Sequence, residues 1–139
     1  MRQRILCIIS FFAFMFLAVT HAQAQDIRNS SGSYMGKIES SGRVYNSSGS
    51  YSGRFDGDRV YNSSGSYIGR IESGGRVYNS SGSYIGRIES DGRVYNSSGS
   101  YIGRIESGGR IYNSSGSYIG EARGVNPQWA AAYFFFFRF

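Results

Sequence analysis

Apolar and polar residues alternate in short bursts through most of the chain. Between Arg70 and Tyr78, Ile71 and Val77 fall on one side of a pleated strand pair, while Arg70, Glu72, Arg76 and Tyr78 fall on the other. That is the period-2 pattern of an antiparallel sheet with one face in a core and one in water. Clusters of Ser, Gly and Asn separate the bursts and interrupt any 3.6-residue period. The pattern predicts an all-β fold of short strands and tight turns.

The bursts recur. The unit Arg-Val-Tyr-Asn-Ser-Ser-Gly-Ser-Tyr-Ile-Gly-Arg-Ile-Glu-Ser-Gly-Gly begins at Arg59, close copies begin at Arg43, Arg76, Arg93 and Arg110, and a degenerate copy begins at Asp26. The spacings are 17, 16, 17, 17 and 17 residues, enough for one two-stranded hairpin and a corner in each unit. The shortened copy fixes the register. A three-residue loop, Ser73 to Gly75, sets Glu72 opposite Arg76, Ile71 opposite Val77, Arg70 opposite Tyr78 and Gly69 opposite Asn79. A two-residue loop of Gly57 and Asp58, suited to a type II′ turn, keeps Asp56 opposite Arg59 and Phe55 opposite Val60. The same register pairs Glu39 with Arg43, Glu89 with Arg93 and Glu106 with Arg110, so cross-hairpin ion pairs are expected.

The ends of the repeat region are complementary. Pairing the first strand with the last sets Arg123 against Asp26, Glu121 against Arg28 and Ala122 against Ile27. The charges differ from those of the inner copies, yet they still match. This predicts a closed shallow ring of short antiparallel hairpins without free strand edges. An open array with degenerate caps is the alternative. The register leaves five or six petals open.

Two segments stand outside the repeat. Residues 1–24 read as a secretory leader: Arg2 and Arg4 precede the apolar run Ile5 to Val19, and Ala22-Gln23-Ala24 fits a cleavage site. The run is short for a membrane anchor, and Cys7 stands too early in it for lipidation of the bacterial lipoprotein type. The repeat domain then covers 25–124. Residues 125–139 are apolar: Asn126 suits a helix N-cap, Pro127 the first helical turn, and Ala130 to Ala132 the helix itself. A small ring needs a filling, so Trp129, Tyr133, Phe134, Phe135, Phe136 and Phe137 are expected to form a central plug. They could instead meet a membrane, or alternate as the closing strand of an outer-membrane barrel, although the repeat strands are short for one.

Charge and composition narrow the chemistry. The leader holds Arg2, Arg4, Cys7 and His21, so its removal lowers the formal net charge from +6 to +4 and leaves neither Cys nor His. Disulfides, thiolate catalysis, the usual zinc ligand sets and His-based triads are then excluded. The glycines follow no phosphate-loop pattern, and Asp56-Gly57-Asp58 lacks the further oxygens of a calcium loop. No catalytic residue, metal or cofactor is expected. The outer face is more suggestive. Arg54, Arg70, Arg87 and Arg104 would stand beside Tyr61, Tyr78, Tyr95 and Tyr112, with Tyr45 in the same ring. Such a surface could stack on sugars or grip anionic groups, or simply hold the strands together.

These residues resemble the β-flower proteins, small bacterial exported repeat proteins. The resemblance rests on the tandem Val-Tyr-Asn-Ser-Ser and Tyr-Ile-Gly-Arg-Ile-Glu units and on the ending Ile119-Gly120, Pro127, Trp129-Ala130-Ala131 and Phe134 to Phe137. It implies a near-symmetric ring of hairpin petals with an apolar interior, in families named by petal number. By fold analogy alone it is similar to the tubby-like barrel, where a hydrophobic helix threads a closed sheet. It brings no activity or ligand. The expectation is an exported, non-enzymatic structural or binding module in the periplasm, on the outer-membrane surface or outside the cell. Its partner would be an envelope lipid, a glycan or a protein; nucleic acid is discounted, because acids interleave the bases. Lipid binding through the Phe run and fibre formation by the repeats are the alternatives.

Overall fold

Both polar segments of the unit fold into the same kind of turn. A computed structural model describes residues 25–139; the leader expected at residues 1–24 lies outside them. The strands are β1 (Asp26–Asn29), β2 (Tyr34–Ile38), β3 (Arg43–Asn46), β4 (Tyr51–Asp56), β5 (Arg59–Asn62), β6 (Tyr67–Ile71), β7 (Arg76–Asn79), β8 (Tyr84–Ile88), β9 (Arg93–Asn96), β10 (Tyr101–Ile105), β11 (Arg110–Asn113) and β12 (Tyr118–Ala122), followed by helix α1 (Pro127–Phe135).

In the Ser73–Gly75 loop the Glu72 amide donates to the Arg76 carbonyl and the Gly75 amide to the Glu72 carbonyl, each at 2.8 Å. Gly75, at φ +91°, takes the left-handed place that closes a three-residue hairpin. The Ser80–Gly82 loop repeats this: the Asn79 amide donates to the Ser83 carbonyl at 3.0 Å, and Gly82 sits at φ +81°. Here Asn79 Oδ1 also accepts from the Ser81 amide (3.1 Å), the Ser81 hydroxyl (2.8 Å) and the Ser83 amide (3.0 Å). The expected corner is therefore a second hairpin tip. In the shortened copy Gly57 takes φ +58° and Asp58 a negative φ, as a type II′ turn requires.

The sheet closes. Its order runs β1, β12, β11 and on down to β2, which returns to β1. Ile27 faces Ala122 and Arg28 faces Glu121 across the seam, in the register the charges predict. Each strand pair joined by an Asn-Ser-Ser-Gly-Ser turn is a petal, numbered one (β1 and β2) to six (β11 and β12) in chain order. Between petals the expected register holds, with Gly69 opposite Asn79, Arg70 opposite Tyr78 and Ile71 opposite Val77. Within a petal it slips: Val77 faces Gly86 and Tyr78 faces Tyr84, which leaves Ile85 as the extra residue of a bulge.

The ion pairs differ from expectation. Glu72 is bridged by Arg70 at 3.3 Å, Glu89 by Arg87 at 3.3 Å and Glu106 by Arg104 at 3.3 Å, each from two residues back on the same strand. Lys37 bridges Glu39 at 3.3 Å in the same way. At the seam Arg28 holds Asp26 at 3.4 Å and Arg123 holds Glu121 at 3.1 Å, rather than Arg123 holding Asp26. Residues two apart on a strand share a face at roughly 6.6 Å, within easy reach of Arg. Glu72 and Arg76 do face each other, but it is their backbones that bond at the hairpin end.

The inner wall is a double row of branched side chains. Ile38, Phe55, Ile71, Ile88, Ile105 and Ala122 alternate with Ile27, Val44, Val60, Val77, Val94 and Ile111, all buried. Helix α1 runs through the ring as the expected plug. Asn126 Oδ1 caps it, accepting from the Gln128 amide at 3.0 Å and the Trp129 amide at 3.4 Å, with Pro127 in the first turn. Ala130, Ala131 and Ala132 lie in the middle, each 0% exposed. A ring filled from its wall by Val and Ile has room on its axis only for a helix with the smallest side chains. The last residues, Phe136 to Phe139, lie outside the sheet, so the expected alternative of a closing Phe strand is replaced by the β1–β12 seam.

Candidate functional site

The outer wall carries a belt of Arg and Tyr. Arg54, Arg70, Arg87 and Arg104 lie over the rings of Tyr61, Tyr78, Tyr95 and Tyr112, at 4.5, 4.4, 4.3 and 4.4 Å from the centroids. Lys37 lies over Tyr45 at 5.0 Å. Each of these contacts joins one petal to the next. The candidate residues are thus brought together pairwise, as their register predicts.

Sequence reasoning missed the other half of the belt. Within a petal Tyr78 meets Tyr84 edge-on at 5.9 Å and Tyr95 meets Tyr101 at 5.9 Å. Arg76 is directly opposite Arg87, and Arg93 opposite Arg104. Each such foursome lines a hollow: Arg76, Tyr78, Tyr84 and Arg87 one of 340 Å³, and Arg93, Tyr95, Tyr101 and Arg104 one of 510 Å³. The same pairs recur as Arg43 with Arg54 and Tyr45 with Tyr51 in petal two, and as Arg59 with Arg70 and Tyr61 with Tyr67 in petal three. The available signal was the spacing Asn-x-x-Gly-Ser, which matches Glu-x-x-Gly-Arg and marks a second hairpin.

Petals one and six differ. There Asp26 faces Lys37, and Arg110 faces Glu121. Opposed like charges therefore fill four consecutive petals, and opposite charges fill the two at the seam. The Tyr101 hydroxyl, and after it the Glu106 carboxylate, raise the Arg104 guanidinium above its ordinary range, and Tyr61 does the same for Arg59. These groups stay charged at any physiological pH.

The tail forms a second constellation. Each petal has an inward glycine beside its bulge, and in petals two to six an aromatic ring presses onto it. A methyl group at Gly120 would lie 2.8 Å from Phe134, at Gly103 2.5 Å from Phe135, at Gly86 2.6 Å from Phe136, at Gly69 2.5 Å from Phe137 and at Gly53 2.7 Å from Phe139. Tyr133 stands 5.4 Å from Phe134 and stacks on Phe139 at 5.8 Å. Tyr133 thus links the first and last of these rings; at Gly36, in petal one, a methyl group would meet the backbone of Tyr45 and Asn46 first. Trp129 stacks on Phe55 at 5.3 Å, where the other petals have Ile or Ala. Phe137 is buried, whereas Phe134, Phe135, Phe136 and Phe139 are only partly covered. Burial pushes the Tyr133 phenol above its ordinary value.

Among the described residues no group of three or more acidic, His or Cys side chains is placed to hold a metal ion, and no helix is long and apolar enough to cross a membrane. What the fold defines is a closed ring of antiparallel hairpin petals plugged by its own C-terminal helix. The model of the 5-fold β-flower protein family matches residues 24–138, and the chain belongs to that family. The twelve strands of the described residues make one petal more than the family's description counts. No curated protein and no solved structure matches the chain.

Proposed function

We propose that the protein is an exported, non-enzymatic binding module of the cell envelope, and that the outer wall of its ring is the binding surface. The observation that carries this reading is the repetition of one Arg and Tyr foursome in four consecutive petals. Guanidinium and phenol groups bind and stack at neutral pH; neither exchanges protons readily there. A closed sheet over a filled core holds the copies at fixed spacing, so weak contacts add. The leader-like start supports export. The fibre reading has less support, since a closed ring offers no free edge for stacking strands.

The test uses the protein expressed from its full 139-residue chain and mixed with bacterial envelope fragments. Saturable co-sedimentation is expected, together with clear weakening when Tyr67, Tyr84 and Tyr101 are changed to Ala. An absence of co-sedimentation would remove the proposal. A second reading, contact with lipid, is favoured by the partly covered Phe134, Phe135, Phe136 and Phe139 beside Met35, Ile68, Ile85, Ile102 and Ile119. Under that reading vesicle flotation depends on Phe134 and Phe139 and is indifferent to the tyrosines.

A further inference from the structure

Two arginines set directly opposite each other on adjacent strands oppose folding. Petals two to five each carry such a pair: Arg43 with Arg54, Arg59 with Arg70, Arg76 with Arg87 and Arg93 with Arg104. The seam petals show that the fold accepts the opposite arrangement, since Arg110 faces Glu121 and Asp26 faces Lys37. Folding therefore does not require the four like pairs. Glu72, Glu89 and Glu106 each bridge one arginine of a pair at 3.3 Å, and Asp91 lies 3.8 Å from Arg93, so a bound anion would meet the charge these carboxylates leave over. The tyrosines beside the arginines supply hydroxyl donors.

We propose that petals two to five bind a linear polymer bearing tetrahedral oxyanions, one anionic group seated against each foursome of two arginines and two tyrosines, as the hollows of petals four and five allow. This rests on reading the outer wall as a binding surface. A carboxylate's two oxygens are satisfied by one guanidinium fork, whereas a pendant sulfate or phosphate monoester has a third oxygen for the second fork or a phenol, and an internal phosphate of a polyphosphate chain can offer one free oxygen to each arginine. Successive petals place the hollows roughly 10 Å apart, two strand spacings along the wall. The hollows face outward around an arc, so a flat membrane meets one or two of them at a time, while a flexible chain can follow all four. Simultaneous occupation gives a long chain its advantage over the single anion.

The seam supplies the variant that tests this. Exchanging Arg104→Glu with Glu106→Arg, Arg87→Glu with Glu89→Arg, and Arg70→Glu with Glu72→Arg copies the order of Glu121 and Arg123 into three petals and leaves the net charge unchanged. The protein from its full chain is titrated with long-chain polyphosphate, orthophosphate, dextran sulfate, neutral dextran and anionic phospholipid vesicles. Long polyphosphate or dextran sulfate is expected to bind at least roughly tenfold more tightly than orthophosphate. The stronger of the two identifies the oxyanion, and the triple exchange should abolish that advantage while cooperative melting is kept. The single Arg104 and Glu106 exchange should give a graded part of the loss, and serves alone if the triple variant does not fold. Equal binding by parent and exchanged protein would show attraction to net charge alone and overturn the proposal. So would equal affinity for neutral dextran, or vesicle binding as tight as polymer binding. Such a failure leaves envelope co-sedimentation untouched, because that assay also registers neutral sugars and proteins.

Discussion

Tyr133 differs from its neighbours in the tail because it brings a hydroxyl into an apolar circle. Burial pushes its phenol above the ordinary value near 10. An acid whose folded pKa is raised keeps its proton where the unfolded chain has lost it. Stability from this group is therefore complete below the ordinary pKa and falls as pH rises beyond it. Between about pH 9 and 11, melting temperatures of the parent should fall more steeply than those of Tyr133→Phe, with the other tyrosines as a common background. Identical slopes would show that the phenol reaches water. At this scale the sequence was legible for faces but not for partners. Period 2 placed Arg70 and Glu72 on one face, but it could not say that Arg70 would reach along its own strand while Arg76 stood opposite Arg87. Long, flexible side chains choose among several acids at similar distance, and a one-residue bulge changes which are near.

Elements show the same division. Strands and the first turn could be read because the shortened copy constrained the loop length. The second hairpin tip was hidden, since its bulge shifts the alternation by one residue and Ile85 sits where strict pairing expects none. The glycines were legible as inward-facing, but their use was not, because the rings they receive come from residues beyond the repeat. That use predicts coupling. Gly86→Ala sets a methyl against the Tyr95 carbonyl and 2.6 Å from Phe136, and should cost about 1–3 kcal/mol by overpacking. Phe136→Ala opens space on one side of that methyl. In denaturant melts the double variant should be less destabilised than the two single losses together, by at least about 0.5 kcal/mol. Strict additivity would mean that the ring does not press on the glycine.

For the whole molecule, closure was legible from charge: Arg28 facing Glu121 stands where the inner copies set Tyr opposite Arg, and the changed pair is still complementary. The plug was legible from need, since a double row of Val and Ile around an empty axis would be exposed to water. Deleting residues 125–139 should therefore abolish cooperative melting. A ring that still melted cooperatively without them would show that its wall is self-sufficient. The order of the tail has a longer reach. Phe134 meets petal six, Phe135 petal five, Phe136 petal four, Phe137 petal three and Phe139 petal two, with Tyr133 packed between Phe134 and Phe139. Tandem copies so alike invite unequal recombination, which adds or removes a unit at a stroke. Here a gained unit would find no aromatic ring waiting and a lost one would leave a ring unhoused. Residues 134–139 so tie the number of petals to the number of rings that meet them, one for each of petals two to six.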